Sequence, residues 1–176
     1  MKFTETKIPG AFVIEIEPRG DERGFFARVF CAKEFKEHGI PTDLVQGNIS
    51  WSRDAGTIRG MHYQVEPYAE DKLFRCTKGA IYQVIVDLRK DSPTYKQWVG
   101  TELNAENHRM LFVPKGCSNC VQTLLPDTEG SYFVTQFYTP TAEQGLRWND
   151  PAFNINWPIK DAIVSDKDKA WPDFQG

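Results

Sequence analysis

Ile58-Arg59-Gly60-Met61-His62-Tyr63-Gln64 is the stretch on which the prediction of the fold depends, because it has the composition of a β-strand and carries both a histidine and an arginine. Lys72 follows a short way along the chain, and no other histidine is near in sequence. A single imidazole beside fixed cations suits proton abstraction from an anionic substrate, whereas a metal site needs several ligands. The stretch therefore predicts a strand that carries a proton-handling histidine.

Similar short β-type runs recur along the chain and are separated by clusters of Gly, Pro, Asn and Asp. Their spacing is typical of an antiparallel sandwich or barrel. One short helix is predicted at Ala32–His38, because Gly39 is a favourable residue just after a helix end. Segment 148–172 is expected to wrap the sandwich with short helical or irregular turns. The predicted strands are Phe12–Glu17, Phe25–Phe30, Val45–Ser50, Ile58–Gln64, Ala80–Asp87, Gln97–Leu103, Met110–Val113, Val121–Leu125 and Tyr132–Tyr138.

Polar side chains form rows on several of these strands, because strand side chains share a face at every second position. The rows are Gln46, Asn48 and Ser50; His62 and Gln64; and Tyr132, Val134, Gln136 and Tyr138. Any one row could be the solvated side of a sheet, but together they indicate the lining of an interior cavity. Strict alternation would place Arg59 on the face opposite His62, and Gly60 between them could mark a bulge that re-aims one of the two.

The length, net charge and apolar runs of the chain limit the class of protein to which it can belong. A chain of 176 residues is expected to form one domain spanning 1–176, with no internal repeat. Its net charge of −3 provides no basic field for nucleic acid or a membrane surface. The apolar runs are too short to span a membrane, and Met1-Lys2-Phe3-Thr4 does not resemble a signal peptide. A cytoplasmic location is the expectation.

The cysteines Cys31, Cys76, Cys117 and Cys120 are expected to be reduced and to pack as small apolar residues. Cys117 and Cys120 form a C-x-x-C pair, so a redox or zinc role stays open as the less favoured alternative. His38, at the predicted helix end, and His108, in a polar loop, are interpreted as surface residues.

The motifs taken together, in order and with short spacers, resemble the dTDP-4-dehydrorhamnose 3,5-epimerases, a cupin-like jelly-roll family, over essentially the whole chain. The resemblance implies an all-β fold: a cupin-like jelly roll, an antiparallel sandwich or barrel with a few short helices. The matching pieces are Asp21–Phe26, Gln46–Ser50, Ile58–Gln64, Lys72-Leu73, Val86–Arg89 with Ser92-Pro93, Val113–Gly116, Trp148–Pro151, Trp157-Pro158 and Ser165–Asp168.

The resemblance also implies a nucleotide-linked 4-keto-6-deoxyhexose as substrate, a homodimer, and neither a metal nor another cofactor. It implies His62 as the base, Asp168 as the residue that orients it, Tyr132 as the acid on the opposite sugar face and Lys72 as the stabiliser of the enolate oxygen. An N-terminal strand at Phe12–Glu17 could add to a partner's sheet. The implied substrate contacts are Arg23, Arg28, Gln46, Gly47, Asn48, Arg59, Asn119, Tyr138, Glu143 and Lys167.

The chemistry explains these residue types. A ketone acidifies the protons on both neighbouring carbons, so epimerisation requires proton removal, a stabilised enolate and reprotonation from the other side. A histidine has a reference pKa of about 6.5 and can act as a base at neutral pH. A carboxylate on its second nitrogen fixes the tautomer. A fixed cation stabilises the enolate, and arginine suits the diphosphate.

Two positions depart from the family pattern. Asn119 stands where the family has a second histidine, and Arg28 stands where rhamnose-pathway members often have a glutamate. Asn119 keeps hydrogen-bonding capacity but cannot shuttle a proton. With His62 alone among the usual cupin ligand positions, a metal site is not expected. Double epimerisation at the 3- and 5-positions is the leading hypothesis. A single-position epimerase on another nucleotide sugar and a catalytically silent sugar-nucleotide binding protein remain as alternatives.

Overall fold

The protein folds as two antiparallel β-sheets that face one another, and the computed structural model describes residues 1–176. In spatial order, the first sheet contains β1 (Lys2–Glu5), β2 (Phe12–Glu15), β10 (Met110–Val113), β7 (Lys72–Lys78), β12 (Thr128–Val134) and β5 (Gln46–Ser52). The second contains β13 (Glu143–Gly145), β6 (Thr57–Gln64), β11 (Cys117–Thr123), β8 (Ala80–Asp87) and β9 (Trp98–Asn104). This architecture confirms the predicted all-β jelly roll.

The remaining elements are short. β14 (Ile163–Val164) pairs in parallel with β6, and β3 (Arg19–Asp21) forms a separate hairpin with β4 (Gly24–Phe26). The helices are α1 (Ala32–Glu37), α2 (Asp166–Lys169) and a 3-10 turn at Pro140–Ala142. None of the helices has the length and apolar character required to cross a membrane.

Three apolar clusters hold the layers together. The first lies between the sheets and joins side chains such as Phe74 and Leu111 to Ile85 and Val121. A second covers the outer face of the second sheet with residues of the C-terminal segment, among them Trp157. A third packs residues next to and within α1 against the outer face of the first sheet. The second sheet is therefore buried on both faces, and the C-terminal segment wraps the sandwich as expected.

Helix α1 illustrates how sequence and packing agree. Phe35 is its buried residue, and full burial of a phenylalanine contributes about 1.5–3 kcal/mol. The helix ends at Glu37, followed by His38 as the C-cap and by Gly39 at φ +71°. A left-handed conformation at this position favours glycine. His38 is exposed and stacks on Phe3, as a surface residue would.

The bulge expected at Gly60 is confirmed by the register of β6 and β11. His62 pairs with Asn119 and Arg59 with Val121, so β6 carries one extra residue between these pairs. Gly60 has φ +126°, and a Cβ there would lie 2.6 Å from the carbonyl oxygen of Asn119. Only glycine fits this close approach. The extra residue brings Arg59 and His62 to the same interior face.

The cysteines pack as predicted. All four are free, and three of them are buried. Cys117 belongs to the inter-sheet cluster and Cys120 to the outer cluster, because an odd spacing along β11 places them on opposite faces. Burial raises the pKa of Cys117 to about 12, which suits an inert thiol rather than a redox pair.

Some predicted strands were wrong. β7 was not predicted, because Leu73 and Phe74 are both buried but belong to clusters on opposite sides of the sheet, which hides the alternation. The predicted run at Tyr132–Tyr138 is instead β12, which ends at Val134, and Phe25–Phe30 is a strand only as far as Phe26. The suggestion that the strand at Phe12–Glu17 adds to a partner's sheet is also wrong. Both edges of β2 are paired within the chain, to β1 and β10.

Candidate active site

A cavity of about 410 Å³ opens between the two sheets, and a smaller one of about 240 Å³ adjoins it. His62, Lys72 and Tyr132 line both, so the two cavities are parts of one site. The larger part is also lined by Gln46, Asn48, Tyr63, Gln64, Glu70, Val134, Tyr138 and Glu143. The smaller part is also lined by Ser50, Arg59, Phe74, Asn119 and Val121.

His62, on β6, is held by Asp168, which belongs to α2. The Nε2 atom of His62 lies 2.7 Å from Oδ1 of Asp168, and the Gly60 amide donates to Oδ2 at 3.3 Å. The Ser165 hydroxyl accepts a hydrogen bond from the Asp168 amide and so caps α2. Burial alone would raise the pKa of Asp168, but the hydrogen bond from His62 and the positive charge that ring can carry lower it below its usual value. An ionised Asp168 requires a proton on Nε2, which leaves the lone pair of Nδ1 for the cavity.

Tyr132 lies on β12, in the opposite sheet. Its ring stacks on Phe74 with centroids 5.3 Å apart, and its hydroxyl makes no hydrogen bond within the chain. Burial raises the pKa of Tyr132, and the nearby Glu70 carboxylate raises it further. The phenol therefore keeps its proton at neutral pH and can give it to a ligand.

Lys72 is paired with the carboxylate of Glu70, which was not among the predicted site residues. Its Nζ lies 2.8 Å from Oε1 of Glu70, and the side chains are only 14% and 9% exposed. Residues at i and i+2 of an extended chain share a face, so the proximity of Glu70 to Lys72 was a usable signal. The pair places one fixed cation and its counter-charge on the wall that carries Tyr132.

Polar groups at the rim of the larger cavity form a linked set. The Tyr138 hydroxyl donates to Glu143 at 3.0 Å, and Lys167 donates to the same carboxylate at 2.6 Å. Burial would raise the pKa of Glu143, but these two partners lower it overall. Gln46 accepts from the Tyr138 amide and, with Asn48, faces the cavity. The predicted rim residues are thus brought together.

Gln64 was predicted only as part of a polar row, yet it ties together two loops at the mouth. Its amide nitrogen donates to the carbonyls of Tyr68 and Phe137, and its oxygen accepts from the Thr139 amide at 2.6 Å. These contacts fix the segments that precede Lys72 and that contain Tyr138.

Arg59 and Asn119 lie in the smaller cavity. Arg59 donates to the Ser52 hydroxyl and to the Trp51 carbonyl, which fixes its guanidinium. Asn119 accepts a hydrogen bond from Gln83 at 2.5 Å. No group of three or more His, Cys, Asp or Glu side chains is placed to hold a metal ion.

Three predicted substrate contacts do not reach the cavity within this chain. Gly47 lies on the opposite face of β5, because it alternates with Gln46 and Asn48, and a Cβ there would meet Phe133 at 2.7 Å. Arg23 is 85% exposed and pairs with Asp21 in the β3–β4 hairpin. Arg28 is 61% exposed and lies 4.0 Å from Glu34. Arg23 lies in the β3–β4 hairpin, whose Phe25 packs against His108, and Arg28 lies beside α1, so both are outside the cavity of their own chain.

Comparisons with known proteins identify the family of the chain. The sequence model described as dTDP-4-dehydrorhamnose 3,5-epimerase matches residues 5–176. A protein of that name from Sinorhizobium fredii is 47% identical over 98% of this chain and 89% of its own length. A crystal structure of the Bacillus anthracis enzyme, with TDP and PPi bound, superposes with a TM-score of 0.95 at 46% identity and covers 98% of this chain and 99% of its own.

A third relative has a sugar nucleotide bound. The structure of dTDP-6-deoxy-D-glucose-3,5-epimerase from Legionella pneumophila, in complex with dTDP-4-keto-L-rhamnose, has a TM-score of 0.90 at 35% identity. It covers 99% of each chain. The matches span almost the whole length on both sides. The chain belongs to the dTDP-4-dehydrorhamnose 3,5-epimerase family.

Proposed function

We propose that this protein is an isomerase that epimerises a dTDP-linked 4-keto-6-deoxyhexose at the carbons on both sides of the ketone, without a cofactor. The observation that carries this proposal is the pairing of His62 with Asp168 on one wall of a cavity whose other wall bears Tyr132. A base and an acid on opposite walls are what inversion requires, because a single group on one side would return the proton to the face it left.

The chemistry follows from the contacts. Nδ1 of His62 removes the proton on the carbon next to the ketone, and the C–H electrons form the C=C bond of an enolate whose charge lies on the former keto oxygen. Lys72 stabilises that oxygen. The Tyr132 hydroxyl then gives its proton to the opposite face, and solvent resets both groups. A positioned base of this kind contributes about 10²–10⁴-fold in rate.

The nucleotide half of the substrate is assigned to the rim and to Arg59. Tyr138 offers an aromatic face that is 56% exposed, and a nucleobase can stack on it. Lys167 and Arg59 supply positive charge for the diphosphate. Gln46, Asn48 and Glu143 supply hydrogen-bonding groups between these positions.

The active form is proposed to be a homodimer. Phe25 and Phe26, in the hairpin, are 53% and 71% exposed, and such neighbouring aromatic surface is favoured where another chain covers it. In that arrangement Arg23 and Arg28 act at the cavity of a partner rather than at their own. Light scattering should give twice the chain mass of 20.2 kDa, and Phe26→Asp should give the single mass with reduced activity. A single-chain mass for the unaltered protein would contradict the proposal.

The free cysteines suit a reducing compartment, and we therefore assign the enzyme to the cytoplasm.

Asn119 favours a second candidate, in which only one of the two carbons is inverted. A neutral amide beside His62 cannot shuttle a proton, so one of the two reprotonation steps could be lost.

Solvent exchange distinguishes the candidates. The protein is incubated in D₂O with dTDP-4-keto-6-deoxyglucose, and the label at each carbon is read by NMR. Deuterium at both carbons supports double epimerisation, and deuterium at one supports the single-position enzyme. His62→Ala should lower exchange by about 10³-fold. Exchange that is unchanged by His62→Ala would leave only the silent binding protein.

A further inference from the structure

Gln83 is a fully buried polar side chain at the floor of the site that the proposed chemistry does not use. It lies on β8, on the face that packs between the sheets, with an exposure of 0%. Its Nε2 donates to Oδ1 of Asn119 at 2.5 Å, while its own Oε1 is buried without a partner. A buried acceptor without a partner is costly, so a glutamine at this position calls for a role.

The contact with Gln83 determines what Asn119 can offer. An amide whose oxygen is engaged presents its NH₂ group in the other direction, and Nδ2 of Asn119 has no partner in the chain although the residue lines the smaller cavity. It is therefore a hydrogen-bond donor held in one orientation. It is also neutral at every pH at which the protein is folded.

The register of the second sheet shows which part of a ligand this donor meets. Asn119 pairs directly with His62 across β11 and β6, so their side chains are neighbours on one face. Tyr138 and Lys167, at the rim, are not among the residues that line this part of the site. Because His62 is its direct strand neighbour, the donor faces the reacting sugar ring, although Arg59, assigned above to the diphosphate, lines the same part of the site.

We propose that Asn119 is a specificity-determining residue that donates a hydrogen bond to a neutral oxygen of the sugar ring, and that Gln83 is the positioning residue that aims it. The proposal rests on the proposed function, since it takes the sugar nucleotide as the ligand. A neutral donor discriminates less in favour of an oxyanion than a charged imidazole would. The pair of Asn119 and Gln83 therefore contributes to the choice of sugar. It adds no titratable group to the site beside His62 and Asp168.

Asn119→Ala is the sharpest variant, because it removes the donor toward the cavity without placing a new negative charge in the part of the site that Arg59 lines. Affinities are measured by calorimetry with two probes, dTDP and dTDP-glucose. We expect dTDP to bind this variant within about twofold of the unaltered protein and dTDP-glucose to bind roughly tenfold more weakly. Ser118→Ala, the neighbour on the opposite face of β11, is the matched control and should change neither affinity.

Gln83 is tested through its dependence on Asn119. Gln83→Met should weaken dTDP-glucose binding by a few-fold, and should cause no further loss when added to Asn119→Ala, because no amide is then left to aim. If Gln83 were only structural, the loss of dTDP-glucose affinity caused by Gln83→Met would add to that caused by Asn119→Ala in the double variant. Thermal unfolding of each variant shows whether the fold is retained.

Two results would overturn the inference: unchanged dTDP-glucose affinity in Asn119→Ala, or an equal loss for dTDP and dTDP-glucose in that variant. Neither depends on turnover. If the unaltered protein binds dTDP-glucose but catalyses no solvent exchange, the proposed function fails while this binding test still stands.

Discussion

On the second-sheet wall of the cavity, His62 is held by a carboxylate that is itself held by a backbone amide and a helix cap, whereas on the first-sheet wall Tyr132 is held only by stacking and its hydroxyl is free. The two walls therefore prepare their groups in opposite ways. A base must have its tautomer fixed before the substrate arrives, and an acid must keep its proton until it is needed. The difference teaches that the more rigidly held side chain is His62, whose tautomer must be fixed before the substrate binds.

Removal of the Asp168 charge, which fixes the tautomer of His62 and so creates the difference between the two walls, should have the largest effect on kcat. In Asp168→Asn the amide cannot hold the Nε2 proton as a carboxylate does, so we expect kcat to fall by about 10²-fold or more with a small change in KM. Asp166→Asn is the control, because Asp166 lies in the same helix with its side chain fully open to solvent. This variant should leave both kcat and KM unchanged. A kcat within threefold of the unaltered protein would show that Asp168 is only structural.

Glu70→Gln tests the other wall. Without the carboxylate, Lys72 loses its partner at 2.8 Å, and we expect kcat to fall about tenfold as the cation loses its position. Burial first and Glu70 second raise the pKa of Tyr132. Removal of the second cause lowers that pKa, so the phenol loses its proton at a lower pH and the alkaline limb of the kcat profile should move to lower pH.

The control for Glu70→Gln is Glu66→Gln, which removes an exposed glutamate that pairs with Lys115 at 3.6 Å. It should leave both kcat and the alkaline limb unchanged. If the alkaline limb of the kcat profile does not move in Glu70→Gln, Glu70 does not influence the pKa of the Tyr132 phenol.

The rim should give the smallest effect. Lys167 is 57% exposed, and its ion pair with Glu143 is screened by salt. Lys167→Ala should therefore raise KM by about two- to fivefold and leave kcat unchanged, with a smaller difference at high ionic strength. A change in kcat would place Lys167 among the groups that act on the reacting carbon.

Much of the site was predictable at positions where the residue type suits the chemistry and the two-residue period of a strand directs the side chain to the cavity. The β-strand around His62, the bulge at Gly60 and the cavity-facing pair Gln46 and Asn48 followed from alternation and from a glycine between two functional residues. Asp168 could not be placed by spacing, because it meets His62 across 106 residues of chain and only the family resemblance named it.

The differences between the predicted site and the observed cavity have physical causes. Gly47 was assigned to the site with its neighbours, although the period of two places it on the other face. Arg23 and Arg28 were assigned by position in the family; they lie outside the cavity of their own chain, and their role at a partner's cavity stays a prediction. Glu70 was missed although its spacing from Lys72 was a usable signal, and Gln83 was missed because a buried amide is recognisable only once its partner is known.

The central claim is that the proton leaves toward His62 on one wall and returns from Tyr132 on the other. The most direct measurement follows Tyr132→Phe in D₂O and records, at each carbon, both label and configuration. We expect deuterium to enter with retained configuration, because His62 can still remove and return a proton, and inversion to slow by about 10²-fold. Inversion at the unaltered rate, or complete loss of exchange, would contradict the claim.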